Sequence, residues 1–377
     1  MLKSLIKNTD YYILAITFIL VAIGVVGIYS AGYTSTVSSD EYIKQIIWFC
    51  GLLVVMIFIW AVDYKFFDFG GYLLYIASIV LLVMVLFMPK IMGARSWFNF
   101  GFFLYQPSEL MKIAYILTFA KFISIFNESN RFSNISKILI GGAVFFIPLI
   151  LILLQPDFGT AIVFVVITFF MLYTNKLKYK YILIAIGLVI IIAPLVYFFL
   201  LNGIQQERIL VFLDPTRDPL GSGYNAIQSK LAIGSGMLFG TGLLNGTQTQ
   251  FGYLPIKSSD FIYSVISEEF GFIMSVSVII LFTILILRLL YIAKNTKDTF
   301  GKLIIMGITG MIFFHFVQNI GMTIGLLPIT GIPLPFVSYG GSSLMTNLIA
   351  IAIVLNISAR KSKNIFLDWF KPNIKYI

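Results

Sequence analysis

The chain has 377 residues, 59% of them hydrophobic and 11% charged, and its 26 Lys and Arg against 16 Asp and Glu give a formal net charge of +10. A soluble domain carries about 25% charged residues, so this deficit, with a mean hydropathy of +0.97, excludes a soluble globular enzyme and indicates a polytopic membrane protein. No basic run is interleaved with base-stacking aromatics, which excludes a nucleic-acid partner, and the single cysteine, Cys50, excludes an intramolecular disulfide or a thiol metal site.

In chain order, Lys3 and Lys7 precede an apolar run too long for a signal-peptide core, which predicts an uncleaved first span. Apolar runs of about 17 to 25 residues mark spans. They fall near 11–31, 43–62, 69–88, 109–125, 138–154, 159–175, 181–201, 270–290, 303–324 and 342–358. The predicted fold is an all-α polytopic bundle of ten spans over 1–377, with both termini on one side. Lys and Arg dominate one set of connecting segments, among them Lys176, Lys178, Lys180, Lys294, Lys297 and Arg360, and the positive-inside rule makes that set cytoplasmic. The segment 202–269, between the seventh and eighth spans, is then a large outer loop, and 359–377 a cytoplasmic tail.

Ionisable groups inside spans are costly and face polar interiors. Glu109 and Lys112 lie three apart, on one face of the fourth span near its outer end; they form either an ion pair that cancels both charges or part of a substrate site. Gln106-Pro107-Ser108-Glu109 and Gln155-Pro156-Asp157 each open a span, which suits Pro in a first helical turn. Asp157 is read as a helix cap or as a ligand for a hard cation.

In the outer loop, Arg208 and Arg217 flank FLDPTRDP, and Lys230 follows. Guanidinium groups suit phosphate oxygens, while for Arg217 a set of surface salt bridges with Asp214 and Asp218 is the simpler account. Asp260 sits at a loop-to-helix junction just before the eighth span. Desolvation there raises a carboxyl and suits a general base; Ser258, Ser259 and Asp260 are also all helix-capping types. Glycines at 234, 236, 240, 242, 246 and 252 do not make a nucleotide loop, because Phe239 stands where GxGxxG needs its third glycine. They are expected to allow tight turns and backbone approach. His315, alone in the ninth span, is expected to be a hydrogen-bonded interior group and not a metal ligand. Finally, Pro328, Pro333, Pro335 and Gly340-Gly341 interrupt helix between the last two spans. Irregular backbone at membrane depth must be buried or line a cavity, so a re-entrant segment is expected to wall the outer site.

GARSWFNFGFFLYQPSELMK, LQPDFGTA, FLDPTRDPLGSGYNAIQSKLAIGSG, the LP…SDFIYSVISEE run and NIGMTIGLLPITGIPLPFVSYGGSS together resemble the shape, elongation, division and sporulation (SEDS) family of RodA and FtsW, in order and over nearly the whole chain. Pro333 resembles the RodA branch, whereas Ser258-Ser259 and Met237 depart from the family's usual His-Thr and glycine. The resemblance implies a peptidoglycan glycosyltransferase that polymerises lipid II at the outer face of the cytoplasmic membrane for cell elongation. It also implies a class B penicillin-binding transpeptidase and other elongation-complex membrane proteins as partners. Carried over by motif, Asp260 is the essential aspartate, and Glu109, Lys112 and Asp157 line a polar cavity below it. Arg95, Arg208, Lys230, Ser338 and Tyr339 complete the expected substrate contacts. No nucleotide is needed, because a polyprenyl pyrophosphate donor is already activated. The departing pyrophosphate is stabilised by basic side chains or by a divalent cation, Mg or Mn, with Asp157 the candidate ligand. A lipid II flippase, an FtsW-like septal polymerase and an inactive scaffold are the competing readings.

Overall fold

The structure is a computed structural model, and it describes residues 2–33, 40–91, 93–101, 103–128, 134–174, 203–219 and 221–369. Long apolar runs fold as helices because hydrocarbon offers the backbone no hydrogen-bonding partner. Among the described residues six helical stretches are long and apolar enough to cross a membrane: Tyr11–Tyr33, Glu41–Ala61, Tyr64–Val85, Ile262–Asn295, Thr299–Ile324 and Gly341–Arg360. We label helices α1 (Leu2–Asn8), α2 (Tyr11–Tyr33), α3 (Glu41–Ala61) and α4 (Phe67–Val85). The next three are α5 (Pro107–Glu128), α6 (Asn134–Leu154) and α7 (Phe158–Thr174), which coincide with the fourth to sixth expected spans. The seventh, 181–201, lies outside the described residues.

The segment after it is built of α8 (Gly203–Leu213), α9 (Ser222–Ser235) and the single turn α10 (Thr247–Gln250). Then come α11 (Ile262–Asn295), α12 (Thr299–Ile324) and α13 (Gly341–Trp369). Central α12 packs against α7, α5 and α11, whereas α3 lies at the periphery with Ile47, Val54, Ile57 and Phe58 exposed. One departure from an all-helical chain is a short antiparallel hairpin in the GARSWFNFGFFLYQ stretch, pairing Phe98 with Tyr105 and Asn99 with Leu104.

The eighth span differs from expectation in a way that shapes the site. Helix begins at Ile262, not near 270, and is broken at Gly271 (φ 74°, ψ −169°). A break orphans backbone groups that must find partners when buried. The glycine-rich segment supplies them. Phe272 and Ile273 N–H donate to the carbonyls of Met237 and Leu238 (2.8 and 3.3 Å), and Thr241 and Gly242 N–H donate to those of Glu268 and Glu269 (2.9 and 3.0 Å). The approach is so close that a Cβ on Gly236 or Gly240 would sit 1.9 or 2.1 Å from the Ser267 or Glu269 carbonyl oxygen. Close backbone approach, expected of these glycines, therefore has a definite object. The buried Glu268 carboxylate then accepts from Gln248 and Thr249 N–H (2.7 and 2.9 Å), which fixes α10 against the half-helix.

Between α12 and α13 the backbone is irregular from Gly325 to Gly340, as the prolines require. Gly325, in the left-handed region (φ 81°), ends α12. The segment is buried at Ile332, Leu334, Phe336 and Val337. Gly24 of α2 lets it approach, since a Cβ there would lie 2.5 Å from the Val337 carbonyl oxygen.

Candidate functional site

Asp260 is half-buried at the start of α11. It is no helix cap: Phe261 holds that position, and no side chain caps this N-terminus. Its backbone is clamped instead. The Asn319 amide of α12 donates both to the Asp260 carbonyl (3.0 Å) and to that of Ile332 (2.8 Å), joining the aspartate to the irregular segment. Ser338 Oγ donates to the Ser259 carbonyl (2.6 Å) and accepts from Leu334 N–H (2.8 Å), and Tyr339 N–H donates to the Ser258 carbonyl (2.9 Å). Gln318 adds a bond to the Pro328 carbonyl (2.8 Å). The Asp260 carboxylate faces Gly331, where a Cβ would come within 3.4 Å of Oδ2. Desolvation by burial raises this carboxyl to about 6, against the opposing pull of the Ser259 hydroxyl and the Arg208 charge.

The irregular segment thus walls Asp260. The Ser338 side chain is spent on backbone, and the Tyr339 ring stacks on Trp48 of α3 (5.5 Å between centroids). Gln45, one turn before Trp48, donates to the Ser338 carbonyl (3.1 Å).

Glu109 and Lys112 form the predicted ion pair at 2.7 Å, and both are buried. Lys112 Nζ also lies 3.1 Å from His315 Nε2, so the lone histidine is a hydrogen-bonded interior group as read from sequence. Asp157 caps α7, accepting from Thr160 N–H and Oγ1 (3.1 and 2.9 Å). Its Oδ2 also takes the Gln106 amide (3.0 Å), so the two Gln-Pro motifs meet in space. Pro107 does open α5, but Pro156 stands before the Asp157 cap and not in a first helical turn. Burial raises the Asp157 carboxyl, while the Thr160 bonds pull it down. Gln106 N–H reaches Ser342 Oγ at the start of α13 (3.2 Å), and Gly159 of α7 abuts Thr330 and Ile332. Residues 330–332 therefore stand between Asp157 and Asp260.

Arg208 and Lys230 converge on one small cleft with Phe212, Met322, Leu327 and Ile329. Lys230 lies across Gly325, whose Cβ would fall 2.0 Å from Lys230 Cε. Arg95 is exposed and donates to the Leu86 carbonyl (3.2 Å), at the end of α4. Arg217 meets Asp214 at 3.9 Å, but Asp218 leaves that set and accepts from Gly221 and Ser222 N–H (3.0 and 2.7 Å) at the start of α9. Among the described residues no three His, Cys, Asp or Glu side chains come together, and Asp157 spends both oxygens on Gln106 and Thr160. That donor set does not build a cage for a divalent cation. Asn319, Gln318 and Gln106 were missed in the sequence. For Asn319 and Gln318 the only signal is an uncharged amide within an apolar run; for Gln106 it is the Gln-Pro motif that 155–157 repeats.

The family described as "Cell cycle protein" (FtsW, RodA, SpoVE) matches residues 10–363. The peptidoglycan glycosyltransferase MrdB of Escherichia coli K12 is 39% identical over 312 residues, covering 82% of this chain and 83% of that protein. The peptidoglycan glycosyltransferase RodA of Treponema pallidum is 35% identical over 430 residues, covering 94% and 99%. A chain from a peptidoglycan synthase complex, described as coordinating polymerization and crosslinking, superposes with a TM-score of 0.78 at 28% identity, covering 94% and 98%. With motif order, bundle and whole-length similarity in agreement, this chain belongs to the FtsW, RodA and SpoVE family of cell cycle proteins.

Proposed function

We propose that this protein is a peptidoglycan glycosyltransferase that polymerises lipid II at the outer face of the cytoplasmic membrane, with Asp260 as general base. The observation that carries the reading is a clamped, half-buried carboxyl raised to about 6, beside Arg208. A base poised near the working pH combines the correct protonation state with proton-transfer driving force. Asp260 takes the proton of the acceptor 4-hydroxyl as that oxygen bonds the donor's anomeric carbon. The bond from that carbon to the pyrophosphate breaks with its electron pair on the leaving group, so an α-linked donor yields a β-1,4 product. Arg208, whose charge acts on this carboxylate, and Lys230, which lines the same cleft as Arg208, receive the pyrophosphate's negative charge. Glu109, Lys112 and Asp157 form the polar floor behind residues 330–332. A divalent cation has no cage among these residues, and no step is assigned to one.

In this reading the chain spans the membrane ten times, both termini are cytoplasmic, and the irregular 325–340 segment is re-entrant. A class B penicillin-binding transpeptidase and other membrane proteins of the elongation machinery are its partners, and Pro333 aligns it with the RodA branch and not with septal synthesis. Purified Asp260→Ala protein, folded as judged by thermal unfolding, is expected to make no glycan from lipid II. Polymer at the wild-type rate from that variant overturns the assignment.

A further inference from the structure

We propose that His315 is a positioning residue: it holds the Lys112 ammonium in place and ties it to α12, the helix that clamps the irregular segment beside Asp260. Lys112 is 1% exposed, and its ammonium is held by two groups of different kinds. Glu109, on the same helix, balances its charge at 2.7 Å. His315 Nε2, on α12 and 203 residues away, lies at 3.1 Å. An ammonium has only N–H donors, so this contact requires a lone pair on Nε2. The imidazole is then neutral, with its proton on Nδ1. Nδ1 is buried without a hydrogen-bond partner among the described residues, so the Lys112 contact alone selects the tautomer: an Nδ1–H imidazole leaves Nε2 free to accept from the ammonium, and an Nε2–H imidazole does not.

The arrangement has a purpose beyond satisfying a buried group. Glu109 alone leaves a four-carbon lysine stem anchored only to its own helix. His315 anchors it to α12, on the face that one turn later carries Asn319. Asn319 clamps Asp260 and Ile332, and Gln318 clamps Pro328. One edge of α12 thereby sets the register of the buried cation, the irregular wall and the aspartate. Asp157 completes the electrostatic surroundings of Lys112.

This rests on the reading that Lys112 belongs to the polar floor of the substrate site, and the test separates the two. His315 is the only histidine, so full-length protein with ring-15N histidine in nanodiscs gives one pair of imidazole resonances. At neutral pH they are expected to report the neutral Nδ1–H tautomer with Nε2 accepting a hydrogen bond, and the Nε2 resonance is expected to move in Lys112→Met. An imidazolium, an Nε2–H tautomer or an unmoved resonance overturns the proposal whatever Lys112 does to substrate. In the same nanodiscs, binding of undecaprenyl pyrophosphate is expected to weaken about tenfold or more in Lys112→Met and in His315→Leu, with no further loss in the double variant. His315→Gln, whose amide oxygen can accept from the ammonium, is expected to restore most of the affinity. Weakening by Lys112→Met but not His315→Leu overturns the positioning role alone, as does a fully additive double variant. Unchanged binding in Lys112→Met removes Lys112 from the substrate site, and with it the purpose assigned to His315.

Discussion

Asp260 carries a charge that its surroundings resist, and Arg208 is the cation that relieves it. The sign of the resulting pH dependence is fixed. Burial raises the carboxyl to about 6, so the basic form is present above that pH and lost below it. The kcat/KM for lipid II is therefore expected to fall about tenfold per unit as pH drops below the acid limb. Arg208→Ala removes a stabiliser of the charged form, so the limb moves to higher pH and the loss at pH 6 deepens. A pH profile that Arg208→Ala leaves in place contradicts this coupling. At this scale the sequence was informative about charge and silent about amides. Asp260, Glu109 and Lys112 stood out because ionisable groups are rare in an apolar chain. Asn319 and Gln106 did not, because their partners lie 59, 13 and 51 residues away and nothing in local spacing brings them together.

Helix α11 shows how an element can be legible and still misread. Counting apolar residues found the span from 270 onward. It passed over Ile262–Phe270, a half-helix too short and too rich in Ser and Glu to register as membrane-compatible. The glycines that make the break possible were visible, but their partners were not, since the contact joins 236–242 to 268–273 across a fold. Gly271 holds φ 74° and ψ −169°, and a Cβ there would meet the Gly240 nitrogen at 2.3 Å. Gly271→Ala is expected to cost about 3 kcal/mol or more from backbone strain and collision together, read as a lower melting temperature of the purified protein. Gly234→Ala, in α9 with open space around it, is the control and is expected to hold or gain stability.

For the whole molecule, hydropathy recovered the helical bundle and the order of its parts, because a run that must cross hydrocarbon has few alternatives. It did not reveal the small hairpin at 98–105, whose two-residue strands are too short for periodicity to register. Sidedness is open to direct measurement. In a Cys50→Ala background, a membrane-impermeant maleimide is expected to label Tyr253→Cys in intact cells and Lys294→Cys only after permeabilisation; both positions are exposed. The reverse pattern inverts the proposed orientation.

The broken helix also sets a length. Unbroken, 34 residues would run about 51 Å, well beyond a hydrocarbon layer of about 30 Å, and would hold Asp260 on a stalk. Folded against α9 and α10 instead, the first nine residues leave the aspartate gauged against Asn319 and Arg208 and not against lipid. A thicker or thinner bilayer can tilt the spans while the ruler that matters for sugar transfer stays inside the protein.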